Sequence, residues 1–155
     1  MVTPEPTELQ LVVEHALDAV GPILRGRGQR VELDLGSDEP TVQADRVYAP
    51  QILANLLINA SNYSPQRTTI HVRARLEAQM LRVDVEDHGP GIPAEQQVGL
   101  FEPYVRANSG DLPAGFGLGL AIARDIVEAH AGRIGLESHL GAGTRVWFTL
   151  PLIEA

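Results

Sequence analysis

The segment Asn55-Leu-Leu-Ile-Asn-Ala-Ser-Asn-Tyr-Ser-Pro65 decides how this chain folds, because its polar and apolar residues separate onto opposite sides of a helix. At about 3.6 residues per turn, Asn55, Asn59 and Asn62 fall within a narrow arc. The opposite arc should face the core and carries Leu53, Leu56, Leu57 and Ala60. Asparagine is a mediocre helix former, so a row of three needs a reason. Asparagine oxygens suit a hard cation such as Mg²⁺, and the amide groups can donate to phosphate oxygens. The row therefore predicts a cation or phosphate site, with a polar face in contact with solvent as the alternative.

The hydrophobic pattern on either side of this segment predicts one α+β domain that spans residues 1–155. Apolar residues at helical spacing predict three helices, over about residues 7–25, 46–63 and 118–130. Alternating apolar residues predict six strands, over about residues 31–35, 41–44, 70–77, 81–87, 133–139 and 144–152. This order predicts a two-layer α/β sandwich, in which three helices cover one face of a mixed, mostly antiparallel sheet of about five strands. Residues 94–116 lack periodicity, and an irregular segment of that length predicts a functional lid.

Two polar side chains are predicted to point into the core. Asp87 ends a strand whose inward residues are Leu81, Val83 and Val85, and Thr144 begins a strand whose inward residues are Val146, Phe148 and Leu150. A buried carboxylate without hydrogen-bond donors is costly, so Asp87 should have a committed partner. Gly89 and Gly91 follow it and would let a ligand approach the backbone closely. The functional interpretation is a carboxylate that accepts a hydrogen bond from a purine amine, with the Thr144 hydroxyl facing the same base. A simple Asx turn after Asp87 is the alternative.

A comb of glycines, Gly115-Phe-Gly-Leu-Gly-Leu120, precedes and opens the last predicted helix. Glycines at alternate positions before a helix N-terminus can present backbone N–H groups to an anion, and a flexible hinge is the alternative. The comb has no Gly-Lys-Ser/Thr sequence, so it is not a Walker loop. It also does not follow a strand in a βαβ unit, which argues against a dinucleotide-binding fold.

Composition excludes several classes of protein. The chain has 155 residues, a formal net charge of −8 and no cysteine. An acidic surface repels nucleic acid, and without cysteine there is neither a disulfide framework nor a thiolate zinc site. No apolar stretch approaches the roughly 18 residues of a membrane helix, so no membrane contact by this domain is expected. The composition fits a reducing cytoplasm.

Taken together and in order, these motifs resemble the histidine-kinase branch of the Bergerat-type ATPase superfamily, which also includes gyrase, Hsp90 and MutL. The resemblance covers about residues 7–151. Its boxes match as follows: the N box at 55–65, the first glycine box at 87–93, the F box at 100–106, the second glycine box at 115–120 and the terminal strand at 143–151.

The resemblance implies a role for each matching position. Asn59 would bind Mg²⁺ with the help of Asn55, and both would be catalytic residues. Asp87 would hold the adenine amine of ATP. The remaining ATP contacts that the resemblance implies come from Asn62, Tyr63, Gly89, Gly91, Ile92, Arg106, Gly115, Gly117, Leu118, Gly119, Leu120 and Thr144.

The residue at position 55 distinguishes transfer from hydrolysis. Hydrolysing relatives carry a glutamate there that activates water, and asparagine cannot act as a base. The resemblance therefore implies transfer of a phosphoryl group to a protein side chain, by positioning and charge neutralisation. The acceptor would be a histidine on the dimerisation helices of the same kinase, a bacterial cytoplasmic protein or a membrane-anchored one, with a response regulator downstream.

Two alternatives remain open on the sequence. A serine kinase of an anti-sigma-factor switch is disfavoured by Asn55, since that branch tends to keep the glutamate. A non-catalytic nucleotide-binding module remains an alternative because of Asn62, where many members carry Lys or Arg. Phe116 is a second departure, since it replaces a residue that is often small. The five histidines are expected to be structural or to lie on the surface. Among them, His130 at a helix end should carry a partly cationic ring that suits the helix dipole.

Overall fold

The computed structural model describes residues 2–37, 39–97, 99–101 and 116–153, and within them the chain forms the predicted α+β sandwich. Its helices are α1 (Leu9–Gly26), α2 (Tyr48–Tyr63), α3 (Ala94–Gln97) and α4 (Phe116–Ala129). Its strands are β1 (Glu5–Glu8), β2 (Arg30–Asp34), β3 (Thr41–Ala44), β4 (Thr69–Glu77), β5 (Met80–Asp87), β6 (Ile134–Ser138) and β7 (Thr144–Pro151). None of the helices in the described residues is long and apolar enough to cross a membrane.

Five strands form the main sheet in the order β2-β4-β5-β7-β6. Strands β2 and β4 are parallel, and the other neighbours are antiparallel. The prediction of a mixed, mostly antiparallel sheet of about five strands is thus confirmed. The register between β5 and β7 places Asp87 directly opposite Thr144. The two inward polar residues therefore meet at one end of the sheet.

Helix α2 is the central helix of the second layer, since it contacts both α1 and α4 and lies over β5. Its predicted core face is buried, with Leu53, Leu56, Leu57 and Ala60 all nearly inaccessible to solvent. Burying one such leucine contributes about 2 kcal/mol of transfer free energy. This face therefore fixes the rotation of α2 and directs the asparagine row away from the sheet, toward α4.

The structure differs from the sequence-based prediction at three places. Thr7, predicted to open the first helix, lies in β1, which pairs antiparallel with β3 to form a separate two-stranded sheet. The Thr7 hydroxyl donates to the carbonyl oxygen of Ala44 at 3.0 Å, so it serves strand pairing rather than a helix cap. The segment predicted as a lid contains the short helix α3, and residues 102–115 lie outside the described residues. Helix α4 begins at Phe116, two residues before the predicted start.

Candidate functional site

The asparagine row on α2 is not a solvent-facing surface. Asn59 is only 4% exposed, and its Oδ1 is inaccessible to solvent and accepts no hydrogen bond from the described residues. A buried oxygen in that state costs about 1–3 kcal/mol unless a ligand satisfies it. Asn55 is half-buried and its Nδ2 donates to the carbonyl oxygen of Gly119, 3.3 Å away on α4. Asn62 is also half-buried. The row is therefore at least half-buried along its length, and Asn55 joins it to the first turns of α4.

Asp87 is the buried carboxylate that the strand pattern predicts, and it is 2% exposed. Its Oδ1 accepts the backbone N–H of Gly89 at 2.8 Å and that of Thr144 at 3.2 Å. Burial raises the pKa of Asp87 to about 6, and these two hydrogen bonds only partly oppose that shift. Because both donors reach Oδ1, Oδ2 is the oxygen left to face a ligand.

Tyr63 lies beside this carboxylate at the end of α2. Its burial, together with the charge of Asp87, raises the pKa of the phenol well above its ordinary value. Its backbone carbonyl occupies the position that a Cβ on residue 89 would need, so only glycine fits at Gly89. The end of α2 and the loop after β5 are therefore in close backbone contact next to Asp87.

The other side of this loop is equally close to the turn between β6 and β7. Gly91 has a φ of +83°, and a Cβ there would collide with the carbonyl oxygen of His139. Gly143 has a φ of +80°, and a Cβ there would collide with the carbonyl oxygen of Asp87. Positive φ and close backbone approach both require glycine, so these positions explain part of the glycine-rich pattern. Ile92, the next residue of the loop, is buried.

The described part of the glycine comb, residues 116–120, contacts the asparagine row at Asn55. Residues 116–120 form the first described turns of α4, and the carbonyl of Gly119 accepts the hydrogen bond from Asn55. A Cβ added at Gly119 would meet no atom of the described residues within 4 Å outside its own helical turn. Leu120 is buried and holds this turn against the core.

A family comparison agrees with this arrangement of an N-box helix, a buried aspartate and a glycine-rich turn. The sequence profile of the family described as "Histidine kinase-, DNA gyrase B-, and HSP90-like ATPase" matches residues 44–154. The chain belongs to this ATPase family.

Similar proteins include a sensor protein and a sensory kinase. The chain is 39% identical over 132 residues to the alginate biosynthesis sensor protein KinB of Pseudomonas aeruginosa, which covers 84% of this chain and 22% of KinB. It is 36% identical over 147 residues to the adaptive-response sensory kinase SasA of Gloeothece citriformis, which covers 94% of this chain and 37% of SasA. Among solved structures, full-length ShkA in complex with AMPPNP superposes with a TM-score of 0.85 at 27% identity, over 100% of this chain and 32% of ShkA. The chain thus spans a fifth to two fifths of the length of these relatives.

The described residues of this domain include an oxygen suited to a divalent cation. The orphaned Oδ1 of Asn59 is a neutral oxygen of the kind that Mg²⁺ accepts as a ligand. Within the described residues, no three His, Asp or Glu side chains cluster as a metal site. A divalent cation here would therefore rely on asparagine oxygens and on the phosphates of a nucleotide.

Sequence reasoning missed two residues of the site, Ser138 and Gln97. The Ser138 hydroxyl accepts the backbone N–H of Ile92 at 2.7 Å and lies 2.8 Å from the Thr144 hydroxyl. The Gln97 Nε2 donates to the carbonyl oxygens of Ile92 at 2.7 Å and Ser138 at 3.0 Å. Strand parity could have found Ser138, because it pairs with inward-facing Thr144 across β6 and β7. No local pattern marks Gln97.

Some predicted site residues have no described side chain. Arg106 and Gly115 lie outside the described residues, and for Gly117 and Leu118 only the backbone, in the first turn of α4, is described.

His130 has the structural role that was expected, but its ring is not the partly cationic one expected at a helix end. The ring is 3% exposed, its Nδ1 lies 2.8 Å from the carbonyl oxygen of Ile126, and its Nε2 accepts the backbone N–H of Asp45 at 2.9 Å. An imidazole that donates at Nδ1 and accepts at Nε2 is neutral, so it is not a cationic partner for the helix dipole.

Proposed function

We propose that this chain is the Mg-ATP-binding catalytic domain of a sensor histidine kinase. It transfers the γ-phosphoryl group of ATP to a histidine on the dimerisation helices of the same kinase, in two-component signalling with a response regulator downstream. The observation that carries the proposal is the buried Oδ1 of Asn59, which accepts no hydrogen bond from the described residues and lies one helical turn after Asn55, the residue that contacts Gly119 on α4. The likeness to the sensor protein KinB, to the sensory kinase SasA and to ShkA in complex with AMPPNP supports it.

The base of ATP would bind at the end of the sheet. Oδ2 of Asp87 would accept a hydrogen bond from the adenine 6-amino group, since Oδ1 is already engaged by two backbone donors. Gly91 and Ile92 would line the slot, because the loop backbone there is held close to the β6–β7 turn. Tyr63 and Thr144 would complete its walls.

The phosphates would bind between α2 and α4. Backbone N–H groups at Gly117, Leu118 and Gly119 would donate to them, as the first turn of a helix attracts anions. Asn62 would add an amide donor, and Arg106 and Gly115 would contribute from the preceding segment. Mg²⁺, held by Asn59 and Asn55, would neutralise charge on the phosphates.

Asn55 favours transfer over hydrolysis. Its Nδ2 donates to the carbonyl oxygen of Gly119, and its side chain is an amide, which has no basic group. An amide at this position cannot take a proton from water. The nucleophile that attacks the γ-phosphoryl group must therefore come from another segment, and it is the acceptor histidine.

The test is a phosphorylation assay of the parent kinase with its dimerisation helices. With Mg-ATP, the wild-type protein should form an acid-labile phosphohistidine, and Asn59→Ala should abolish it because an oxygen that would bind Mg²⁺ is lost. Gln51→Ala is the matched control, since it removes an amide from the exposed side of the same helix. An acid-stable phosphoserine product would assign the chain to the anti-sigma-factor kinases instead. ATP binding without any phosphoprotein would make it a nucleotide-gated module.

A further inference from the structure

The Ser138 hydroxyl occupies the junction between the two walls of the base slot. It is at the end of β6, and the residue is 8% exposed. One wall is the loop after Asp87, whose Ile92 donates its backbone N–H to Ser138 Oγ at 2.7 Å. The other wall begins at Thr144 on β7, whose hydroxyl is 2.8 Å from Ser138 Oγ. The Ser138 hydroxyl therefore joins two segments that would each contact the base.

The proton of Ser138 has two acceptors, and both lie on the turn into β7. They are the carbonyl oxygen of Gly143 at 3.1 Å and the hydroxyl of Thr144 at 2.8 Å. The backbone N–H of Thr144 in turn donates to Asp87 Oδ1 at 3.2 Å. Ile92 is thus connected to the Asp87 carboxylate by hydrogen bonds to the side chain of Ser138 and from the backbone of Thr144, with Thr144 itself as the covalent link between them.

Gln97 holds the same loop from its other side. Its Nε2 donates to the carbonyl oxygens of Ile92 and of Ser138, so the backbone of Ile92 is fixed at both its N–H and its C=O. Ile92 is buried, which leaves the loop little freedom once these bonds are made. Ser138 and Gln97 therefore set the distance between Ile92 and the Asp87 carboxylate.

We infer that Ser138, assisted by Gln97, is a positioning residue that sets selectivity for a 6-aminopurine. The inference rests on the proposed function, in which the slot binds adenine. Discrimination between an amino and an oxo group at C6 depends on Asp87 Oδ2 meeting the amino hydrogen in line. If the slot is loosened and the base can shift within it, Asp87 distinguishes the two groups at C6 less well. Loss of the Ser138 hydroxyl should therefore weaken selectivity more than it weakens phosphate binding.

The experiment compares the dissociation constants of Mg-ATP and Mg-inosine triphosphate, measured by calorimetry on the same preparations. Inosine triphosphate has the same phosphates but a carbonyl oxygen at C6. Ser138→Ala should weaken ATP binding about 5- to 20-fold while changing inosine triphosphate binding much less, so that the preference for ATP falls by about the same factor. Ser138→Thr keeps the hydroxyl and should restore most of the preference.

Thr149→Val is the matched control. Thr149 is also buried on β7, and its hydroxyl accepts the backbone N–H of Arg133 at 2.9 Å, but it is about 17 Å along the strand from Thr144. This variant should lower stability to a similar extent and leave the ratio of the two dissociation constants unchanged. Gln97→Met provides a second test should Ser138→Ala fail to fold, and it should reduce the preference in the same direction.

The outcomes separate the two proposals. The positioning role alone would be overturned if wild type binds ATP and Ser138→Ala has the same ratio of ATP to inosine triphosphate dissociation constants. If the alanine variant does not fold, the same result in Gln97→Met would overturn it. A wild-type protein that binds neither nucleotide would overturn the proposed function and this inference with it.

Discussion

At the scale of single residues, Asp87 makes the stability of the domain depend on pH. Its pKa of about 6 lies above the value of about 3.9 for an unfolded aspartate, because burial disfavours the charged form. Between these two values the folded chain keeps a proton that the unfolded chain has lost, so stability falls as pH rises through this window. Asp87→Asn removes the titration. The free energy of unfolding of the variant relative to wild type should therefore rise by about 2–3 kcal/mol between about pH 4 and pH 8.

Urea unfolding at several pH values, without nucleotide, measures this difference in the free energy of unfolding. The titration of the other carboxylates contributes equally to variant and wild type and therefore cancels in the difference. Asp84→Asn is the matched control, since Asp84 is buried three residues earlier on the opposite face of β5 and is paired with Arg82 at 2.8 Å. A difference between Asp87→Asn and wild type that does not change with pH would show that the Asp87 carboxylate is not destabilised by burial.

At the scale of elements, His130 fixes the C-terminal end of α4 to the turn before α2. Its Nε2 accepts the backbone N–H of Asp45, whose carboxylate accepts the N–H groups of Val47 and Tyr48 at the start of α2. His130→Phe keeps a ring of similar shape but leaves the Asp45 N–H without this acceptor. We expect it to lower the free energy of unfolding by about 1–3 kcal/mol, measured by urea denaturation.

His15→Phe is the control, because it makes the same change at an exposed position of α1 and should alter stability by less than about 0.5 kcal/mol. Equal effects of the two substitutions would mean that His130 does not hold the two helices together.

The elements also show which information the sequence contains. Strand parity alone predicted that Asp87 and Thr144 point inward, because successive side chains alternate between the two faces of a strand. Helical spacing likewise predicted the buried face of α2. Strand β1 was missed because Glu5–Glu8 has no apolar alternation and is held by backbone pairing with β3. The neutral ring of His130 was missed because its partner Asp45 lies 85 residues away in sequence.

At the scale of the whole molecule, the sequence pattern predicted the two-layer architecture. It did not predict the order of the strands in the sheet. Parallel pairing of β2 with β4 across α2 and β3 is a non-local contact that no periodicity encodes. The same holds for Ser138 and Ile92, which are 46 residues apart and meet only because the β6–β7 turn folds over the loop after β5. Motif order could therefore predict the parts of the site, whereas the hydrogen bonds between those parts required the structure.

Nucleotide binding should stabilise the whole domain, because a ligand that binds only the folded state shifts the unfolding equilibrium. At a concentration of about 100 times the dissociation constant, Mg-ATP contributes about 2.7 kcal/mol and should raise Tm by about 5–10 °C.

The substitution Asp87→Asn should abolish this rise in Tm, since the asparagine amide would direct an N–H donor at the adenine amine, which is itself a donor. At about pH 8 the nucleotide-free variant should be at least as stable as wild type, because the buried charge is gone. Loss of the thermal shift in a variant that is itself stable would separate a binding defect from misfolding, and Asp84→Asn should retain the shift. Wild-type protein that neither ATP nor ADP stabilises would contradict the nucleotide site.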